Sequence, residues 1–456
     1  MDSDQRTTLI LPVENQVREL DAKLLLACVA AERGFRVVFG SRAPIHYAVS
    51  SIPRGVYMAK SMRRLSDRMF SILRQLGHEI VAWDEEALVH LNDTSFYYGR
   101  RLSPRALRQV SRLFAWGKEN AELFRRYPQY DGTPIHVTGN PRMDLLRPEL
   151  RGYFADEVQQ IRHRFDRILL VNTNFGWSNH FLSGFRMDEN EGKPNNDFEE
   201  RLAAHKRVLF RSFQEMIAPV AESAPELTLL IRPHPTENPQ MWRDLAKDLP
   251  NVVVSNEGSV VPWLMACEAM IHSGCTTAVE SAVIGTPAIA YQPVSDEDLD
   301  DQLPNTLSHQ VSGLDQLLEK VREAADGELG VAESPERDRI IEENIAGLHG
   351  AFACDRMIDV LVKAGYASRR PPRPGWPRYL QGWIHNQVRT SAKRFNERRQ
   401  GHRNSRAFHD HRYPELPIAE IRARISRLGA GLNRFADVAV EPLTDHLFRI
   451  ESRRPV

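Results

Sequence analysis

At 456 residues the chain is too long for one ordinary hydrophobic core, and two domains with an appendage are expected. Apolar content of 42% and charged content of 26% are those of a soluble globular chain, and no apolar run approaches the roughly 20 residues of a membrane span. The formal net charge of zero hides an asymmetry, because from Tyr366 to Val456 there are 19 Lys+Arg against 8 Asp+Glu, a basic tail behind an acidic body. Cys28, Cys267, Cys275 and Cys354 show no metal-ligand spacing, and Met1-Asp2-Ser3-Asp4 does not read as a signal peptide. A cytoplasmic chain with reduced thiols is expected, at the inner face of the cytoplasmic membrane if its tail docks there.

In chain order, Thr8 to Val13 reads as a strand ending in Glu14-Asn15-Gln16. A helix follows from Val17 to Arg33, closed by Gly34, and then the strand Arg36 to Gly40, which makes a βαβ unit. A helix over Arg63 to Leu76 stops at Gly77, and the strand Glu79 to Trp83 runs directly into Asp84-Glu85-Glu86. Short strands at Arg112 to Trp116 and Pro134 to Thr138 precede the loop Gly139-Asn140-Pro141-Arg142, and a polar connection to about Arg167 reads as a linker. A second α/β series then begins at Arg167 to Val171, ending in Asn172-Thr173-Asn174. Gly176 to Pro194 reads as a mobile loop and Phe198 to Ala221 as a long helix. Strands follow at Leu229 to Ile231, Asn251 to Ser255, Met270 to His272 and Pro287 to Tyr291, with helices at Val260 to Ala269 and Thr276 to Ile284. Ile340 to Ala364 is helical again. Beyond the Arg- and Pro-rich Arg369 to Pro374 lie two amphipathic candidates, one through Leu380, Trp383, Ile384, Val388 and Phe395, the other through Ile418, Ile421, Ile425, Leu428, Leu432 and Phe435. The expected division is 1–160, 161–335, a closing helix at 336–365 and a basic, partly helical extension at 366–456.

The chemistry gathers where strands end, the edge of an open α/β sheet at which ligands bind. Arg232-Pro233-His234-Pro235 places a cation and an imidazole beside a would-be phosphate, with the prolines holding the turn; the plain alternative is a solvated turn histidine. Ser273, Thr276 and Thr277 offer hydroxyls at a helix start, an anion site or simple capping. Glu280 lies on the Thr276 face, to accept from sugar hydroxyls or to favour the helix dipole. Asp84, Glu85 and Glu86 crowd three carboxylates, which raises at least one proton affinity and suits a general base; a solvated acidic turn is the alternative. Glu14, Arg18, Glu19 and Asp21 form a second polar set, open between acceptor binding and helix-start charges. Asn140, Asn172 and Asn174 suit sugar or base contacts, or ordinary turns. No GxxxxGK[ST], HExxH, GxSxG or glycine-rich dinucleotide fingerprint is present, so ATPase, zinc-protease, hydrolase and dehydrogenase readings lose their supports.

From Thr8 to Ala364 these segments resemble bacterial glycosyltransferases of the GT-B fold, and most nearly the surface carbohydrate biosynthesis proteins of capsule and lipopolysaccharide formation. The likeness runs through Val17 to Asp21, Asp84-Glu85-Glu86, Thr138 to Arg142, Arg232 to Pro235 and His272 to Glu280. An acidic pair, a His-Pro dipeptide and a hydroxyl pair are shared with bacterial sialyltransferases, although Ala87 stands where those have glycine. The resemblance implies an α/β fold of two Rossmann-like domains facing across a cleft, with the basic helical extension outside it. It implies inverting transfer of an ulosonate, Kdo-like or sialic-acid-like, from a CMP-sugar to a glycan or lipid-linked acceptor. Asp84, Glu85, Glu86 and His234 would be catalytic. Arg232, Pro235, Ser273, Thr276, Thr277, Glu280, Asn172 and Asn174 would hold the donor, and Glu14, Arg18, Glu19 and Asn140 the acceptor. No metal or cofactor and no nucleic acid is implied; the tail suits peripheral membrane contact. A CDP-glycerol-type phosphotransferase, a nucleotide-sugar epimerase and a non-catalytic glycan- or nucleotide-binding protein are the rivals.

Overall fold

A computed structural model describes residues 6–181, 197–398 and 405–454. Of the loop expected at Gly176 to Pro194, residues 182–194 lie outside the described residues. The strands are β1 (Thr8–Val13), β2 (Arg36–Ser41), β3 (Gly55–Ala59), β4 (Glu79–Ala82), β5 (Arg112–Ala115), β6 (Ile135–Val137), β7 (Ile168–Asn172), β8 (Thr228–Arg232), β9 (Val252–Val254), β10 (Ala269–His272), β11 (Ala288–Tyr291), β12 (His309–Val311), β13 (Val438–Thr444) and β14 (Leu447–Ser452). The chain forms two compact units, one from Met1–Leu88, Tyr97–Tyr153 and Glu342–Val456, the other from Val89–Phe96 and Phe154–Ile341.

The first unit is built on one sheet of order β13-β14-β2-β1-β3-β4-β5-β6, parallel from β2 to β6. All six residues of β1 are buried, as a central parallel strand covered on both faces requires. The chain leaves β1 for β2 on one side and returns to β3 on the other, so the topological switch point lies between β1 and β3. The helix Gln16–Glu32 has no polar face through Leu24–Ala31, and those residues are buried all round. One side lies on the sheet. The other is covered by the helices Pro141–Asp144, Ala353–Lys363 and Ile418–Leu432 and by the β13–β14 hairpin.

The tail is therefore part of the first unit's core. Antiparallel β14 pairs with β2, Phe448 opposite Phe39, and extends the sheet by two strands that the sequence reading left out. Gly40, opposite Leu447, has φ +142, and a Cβ there would lie 2.1 Å from the His446 carbonyl oxygen. Only glycine lets the hairpin approach so closely. The connection expected as a polar linker holds the helices Pro141–Asp144 and Ala155–Phe165, and the helix expected from Ile340 to Ala364 is two, Arg337–Asn344 and Ala353–Lys363, with Gly347 and Gly350 at positive φ between them.

The second unit has one parallel sheet of order β12-β11-β10-β7-β8-β9. Its switch point lies between β7 and β10. Leu169, Val171, Leu229, Ile231 and Ile271 face one core with Phe213 of the long helix Asp197–Ser223, while Leu170, Leu230 and Met270 face the other with Trp263 and Leu264. The alternation of a two-sided strand fixes which residues reach each layer. Among the described residues no helix is long and apolar enough to cross a membrane.

Candidate functional site

On the second unit, the ends of β8 and β10 flank β7. Asn172 of β7 stands in register with Arg232 on one side and His272 on the other. Two strand spacings separate the outer pair, about 10 Å. That span suits a sugar phosphate.

His234 is half-buried just past β8. Its Nδ1 accepts from the Thr236 backbone N–H at 3.2 Å and lies 2.7 Å from Thr236 Oγ1. A backbone N–H can only donate, so Nδ1 is an acceptor and the proton of the neutral ring sits on Nε2. Glu237, which sequence reasoning passed over, sets this loop. Its Oε1 accepts from His234 N at 3.1 Å, Thr173 Oγ1 at 2.6 Å and Phe175 N at 3.0 Å, and its Oε2 from Trp242 Nε1 at 3.0 Å. Burial raises its proton affinity, while these donors lower it. One carboxylate thus ties the loop after β7 to the loop after β8. Gly176 completes the fit, since a Cβ there would lie 2.3 Å from Thr236 Oγ1. The signal lay in Arg232-Pro-His-Pro-Thr-Glu, a buried acid two positions past Pro235.

Beyond β10, His272 is fully buried; its Nδ1 accepts from Gly274 N at 2.9 Å and its Nε2 donates to Ser308 Oγ at 2.8 Å. Burial lowers its pKa to about 3, so the ring is neutral and holds the Ser273-Gly274 turn. The helix Thr276–Ile284 starts from this turn after the extended Cys275, whose Sγ lies 2.6 Å from Thr277 Oγ1. Thr276 and Thr277 are half-buried at this first turn, with Ser273 buried beside them. Glu280, 3% exposed, is no solvated helix-start acid.

Other expected donor contacts are corrected. The Arg232 guanidinium donates to the carbonyls of Glu257, at 2.8 Å, and Gly258, and lies over the Trp263 ring. Burial lowers its pKa to about 10, and its task is to hold the β9 loop. Asn172 donates to Met270 Sδ at 3.1 Å and is 4% exposed, turned into the core layer. Asn174 is exposed and Pro235 half-buried.

On the first unit the acidic cluster is paired rather than self-repelling. Asp84, 0% exposed, accepts from Tyr97 Oη at 2.8 Å and from Arg101 Nε at 2.9 Å. Glu85, 3% exposed, accepts from Trp83 Nε1 at 2.6 Å, with Arg142 at 3.7 Å. Glu86 takes both arms of Arg18 at 2.6 and 3.0 Å. Burial alone would raise the Glu86 pKa, but the Arg18 fork holds it well below the usual carboxylate range. For Glu86 the expectation of a raised proton affinity fails, because Arg18 faces it. Glu86 is also the most exposed of the three, at 41% of its side chain.

The expected acceptor set is likewise an ion-pair network. Glu14 meets Arg42 at 3.0 Å, Arg412 at 2.7 Å and Lys60 at 2.8 Å. Glu19, 1% exposed, holds Lys23 at 2.7 Å and Lys60, and accepts from the Glu14 N–H at 3.0 Å. Both acids lose proton affinity to these cations against the opposing effect of burial. Asn140 caps the helix Pro141–Asp144 by accepting from Arg142 N at 3.0 Å, which is turn chemistry.

No protein-family model matches the sequence, and no curated protein matches it. Among solved structures, the wall teichoic acid polymerase TagF superposes with a TM-score of 0.51 at 11% identity, over 79% of this chain and 89% of that one. The fold is GT-B-like. A second TagF structure gives 0.50 over the same shares at 11% identity. The UDP-GlcNAc 2-epimerase of Methanocaldococcus jannaschii gives 0.47 at 12% identity, over 78% of this chain and 99% of that chain. A GT-B-like chain accounts for two parallel sheets with separate switch points and for polar clusters at the carboxyl edge of each.

Proposed function

We propose that this chain is a glycosyltransferase of surface polysaccharide biosynthesis, transferring a sugar with inversion from a nucleotide-linked donor on the second unit to a glycan or lipid-linked acceptor on the first. The donor we favour is a CMP-linked ulosonate of the Kdo or sialic-acid kind. The observation that carries the reading is His234, an imidazole at a β-strand end whose Nδ1 accepts from the Thr236 N–H, so that the proton of the neutral ring sits on Nε2. In the reaction the acceptor hydroxyl loses its proton to a carboxylate and its oxygen bonds the anomeric carbon. The bond from that carbon to the phosphate oxygen breaks, and its electron pair leaves with CMP. His234 Nε2–H stabilises that oxygen, assisted by the first turn of Thr276–Ile284. Glu86 is our choice of base, since it is the most exposed of the three carboxylates. Ser273, Thr276, Thr277 and Glu280 face phosphate and sugar in this reading. Neither metal nor cofactor is called for, because imidazole and helix N-terminus supply the donors.

The chain works, in this reading, at the inner face of the cytoplasmic membrane. Trp376, Leu380, Trp383, Ile384, Val388 and Phe395 are exposed between 38% and 69% along the helix Trp376–Glu397, whose other side buries Gly382, Asn386 and Thr390. An apolar stripe among Arg373, Arg378, Arg394 and Arg398 complements an anionic bilayer surface.

Replacing His234 by alanine tests the chemistry. Turnover of CMP-sugar should fall at least about 100-fold with an unchanged thermal melt, and an active variant overturns the reading. Assayed beside CMP-sugar, CDP-glycerol and a UDP-sugar separate the alternatives. A preference for CDP-glycerol would favour a glycerophosphotransferase, the reading supported by the likeness to TagF, which was solved after a soak with CDPG.

A further inference from the structure

The carboxyl edge of the first sheet is not the acid-rich lip that Glu14, Glu19 and Asp84 to Glu86 advertise. Asp84, Glu85 and Glu86 each have an arginine, Arg101, Arg142 and Arg18. At the switch point itself Glu14 and Glu19 face four cations, Lys23, Arg42, Lys60 and Arg412. Two positive charges are in surplus. Lys23 is enclosed, 3% exposed, and also donates to the Pro12 carbonyl at 2.6 Å, but Arg42 and Arg412 keep 42% and 32% of their side chains open.

The tail adds to the surplus. The helix Trp376–Glu397 packs on the helix Arg42–Ala48, and Nη1 of Arg389 is buried there with no hydrogen-bond partner among the described residues. Enclosing a guanidinium arm without an acceptor is unfavourable, and it is tolerated where an anion completes it. Arg389, Arg42 and Lys393 converge on His46, which burial and these cations keep neutral and whose Nε2 lies 2.7 Å from Tyr57 Oη. Glu397 of the same helix accepts from Tyr47 Oη at 2.6 Å. The carboxylates of Glu14 and Glu397 here face three cations, Arg42, Arg389 and Lys393.

We infer that Arg42, Arg389 and Arg412 form an oxyanion-binding site at the carboxyl edge of the first sheet, completed by the basic tail, and that it takes a phosphate or carboxylate of the acceptor. Planar guanidinium forks match two oxygens of such a group, and the open arms of Arg42 and Arg412 flank Glu14. The anion site stands on the ion pairs alone; its assignment to the acceptor rests on the transferase reading. An uncharged acceptor end is then a poor substrate.

Isothermal titration of the full chain with inorganic tripolyphosphate at low salt tests the site without turnover. Binding is expected, weakened about 10-fold in Arg412→Gln and again in Arg389→Gln, and reduced by added salt. CMP binding in the same variants should be unchanged. Arg389→Gln removes no hydrogen bond at Nη1, so it serves if Arg412→Gln fails to fold. Equal tripolyphosphate binding by wild type and Arg389→Gln overturns the proposal. Loss of binding to phosphatidylglycerol vesicles with tripolyphosphate binding intact would make these arginines a lipid-headgroup contact and overturn it too. Intact anion binding beside a failed His234 test would remove the transferase reading and leave the site.

Discussion

Protonating His272 should loosen the turn on which the helix Thr276–Ile284 starts. In the fold its Nδ1 must accept from Gly274 N and its Nε2 donate to Ser308 Oγ, which in turn donates to the Pro304 carbonyl at 2.8 Å. A proton on Nδ1 turns that acceptor into a donor facing a donor. Burial puts the folded pKa at about 3, against about 6.5 in the unfolded chain. A histidine whose folded pKa is depressed carries no penalty above the unfolded value. As pH falls below about 6.5 the unfolded chain takes up the proton and the fold does not, and stability drops by roughly 1.4 kcal/mol per unit until the folded value is reached. At pH 5 the loss is about 2 kcal/mol. His272→Asn keeps an acceptor for Gly274 N but cannot titrate; it should lose about 1–3 kcal/mol at neutral pH with the Ser308 bond. Urea unfolding near pH 7.5 and pH 5 should show wild type losing about 2 kcal/mol more than His272→Asn. His46 and His78, also held below their ordinary pKa by burial, remain in both proteins and cancel. Equal acid losses in the two proteins would refute the reasoning.

Glu237→Gln should lower stability by roughly 1.5–3 kcal/mol, because an amide NH₂ then faces one of four donors now aimed at a carboxylate; thermal melts with and without CMP measure this. With His234 less firmly placed, turnover should fall as well, and an unaltered melt would count against the hub. Trp383→Gln combined with Ile384→Gln, at side chains 43% and 45% exposed, should leave the melt unchanged and abolish co-sedimentation with anionic vesicles. Undiminished vesicle binding would remove the membrane face.

The strands were legible where burial is complete: Leu9 to Val13, Leu229 to Ile231 and Ala269 to Ile271 are uninterrupted apolar segments because helices cover both faces of their sheets. The helix Thr276–Ile284 was legible to the residue, with Gly285 left-handed at its end. Leu24–Ala31 carried a signal that was there to be used, since a helix apolar all round needs a cover on its outer side, and the tail provides it. The hairpin β13–β14 stayed hidden because an edge strand with Pro442 and alternating polar residues has little apolar signature. Site residues were found by type and missed by partner. Arg101 follows Asp84 by 17 positions, Arg412 follows Glu14 by 398, and Glu237 follows Thr173 by 64. Such separations have no periodicity for a sequence to display.

Ion pairs join the acidic body of the first unit to the basic tail. Arg434 holds Glu32 at 2.7 Å and Asp355 at 2.9 Å, Arg424 pairs with Asp21, and Arg36 of the body meets Glu451 of the tail at 3.1 Å. An acidic body and a basic tail are two halves of one interface, so the tail's charge by itself says nothing about a partner. Partially enclosed pairs of this kind add modestly to stability but strongly disfavour a misplaced tail, whose arginines would meet other arginines. What the pairing leaves over is informative. Arg389 is half-buried with an Nη1 that is buried and unsatisfied among the described residues, and Arg42 and Arg412 share the single carboxylate of Glu14 with Lys60. Folding alone gives no reason to bring that many cations to a strand edge where parallel sheets bind ligands, and binding an anion there does.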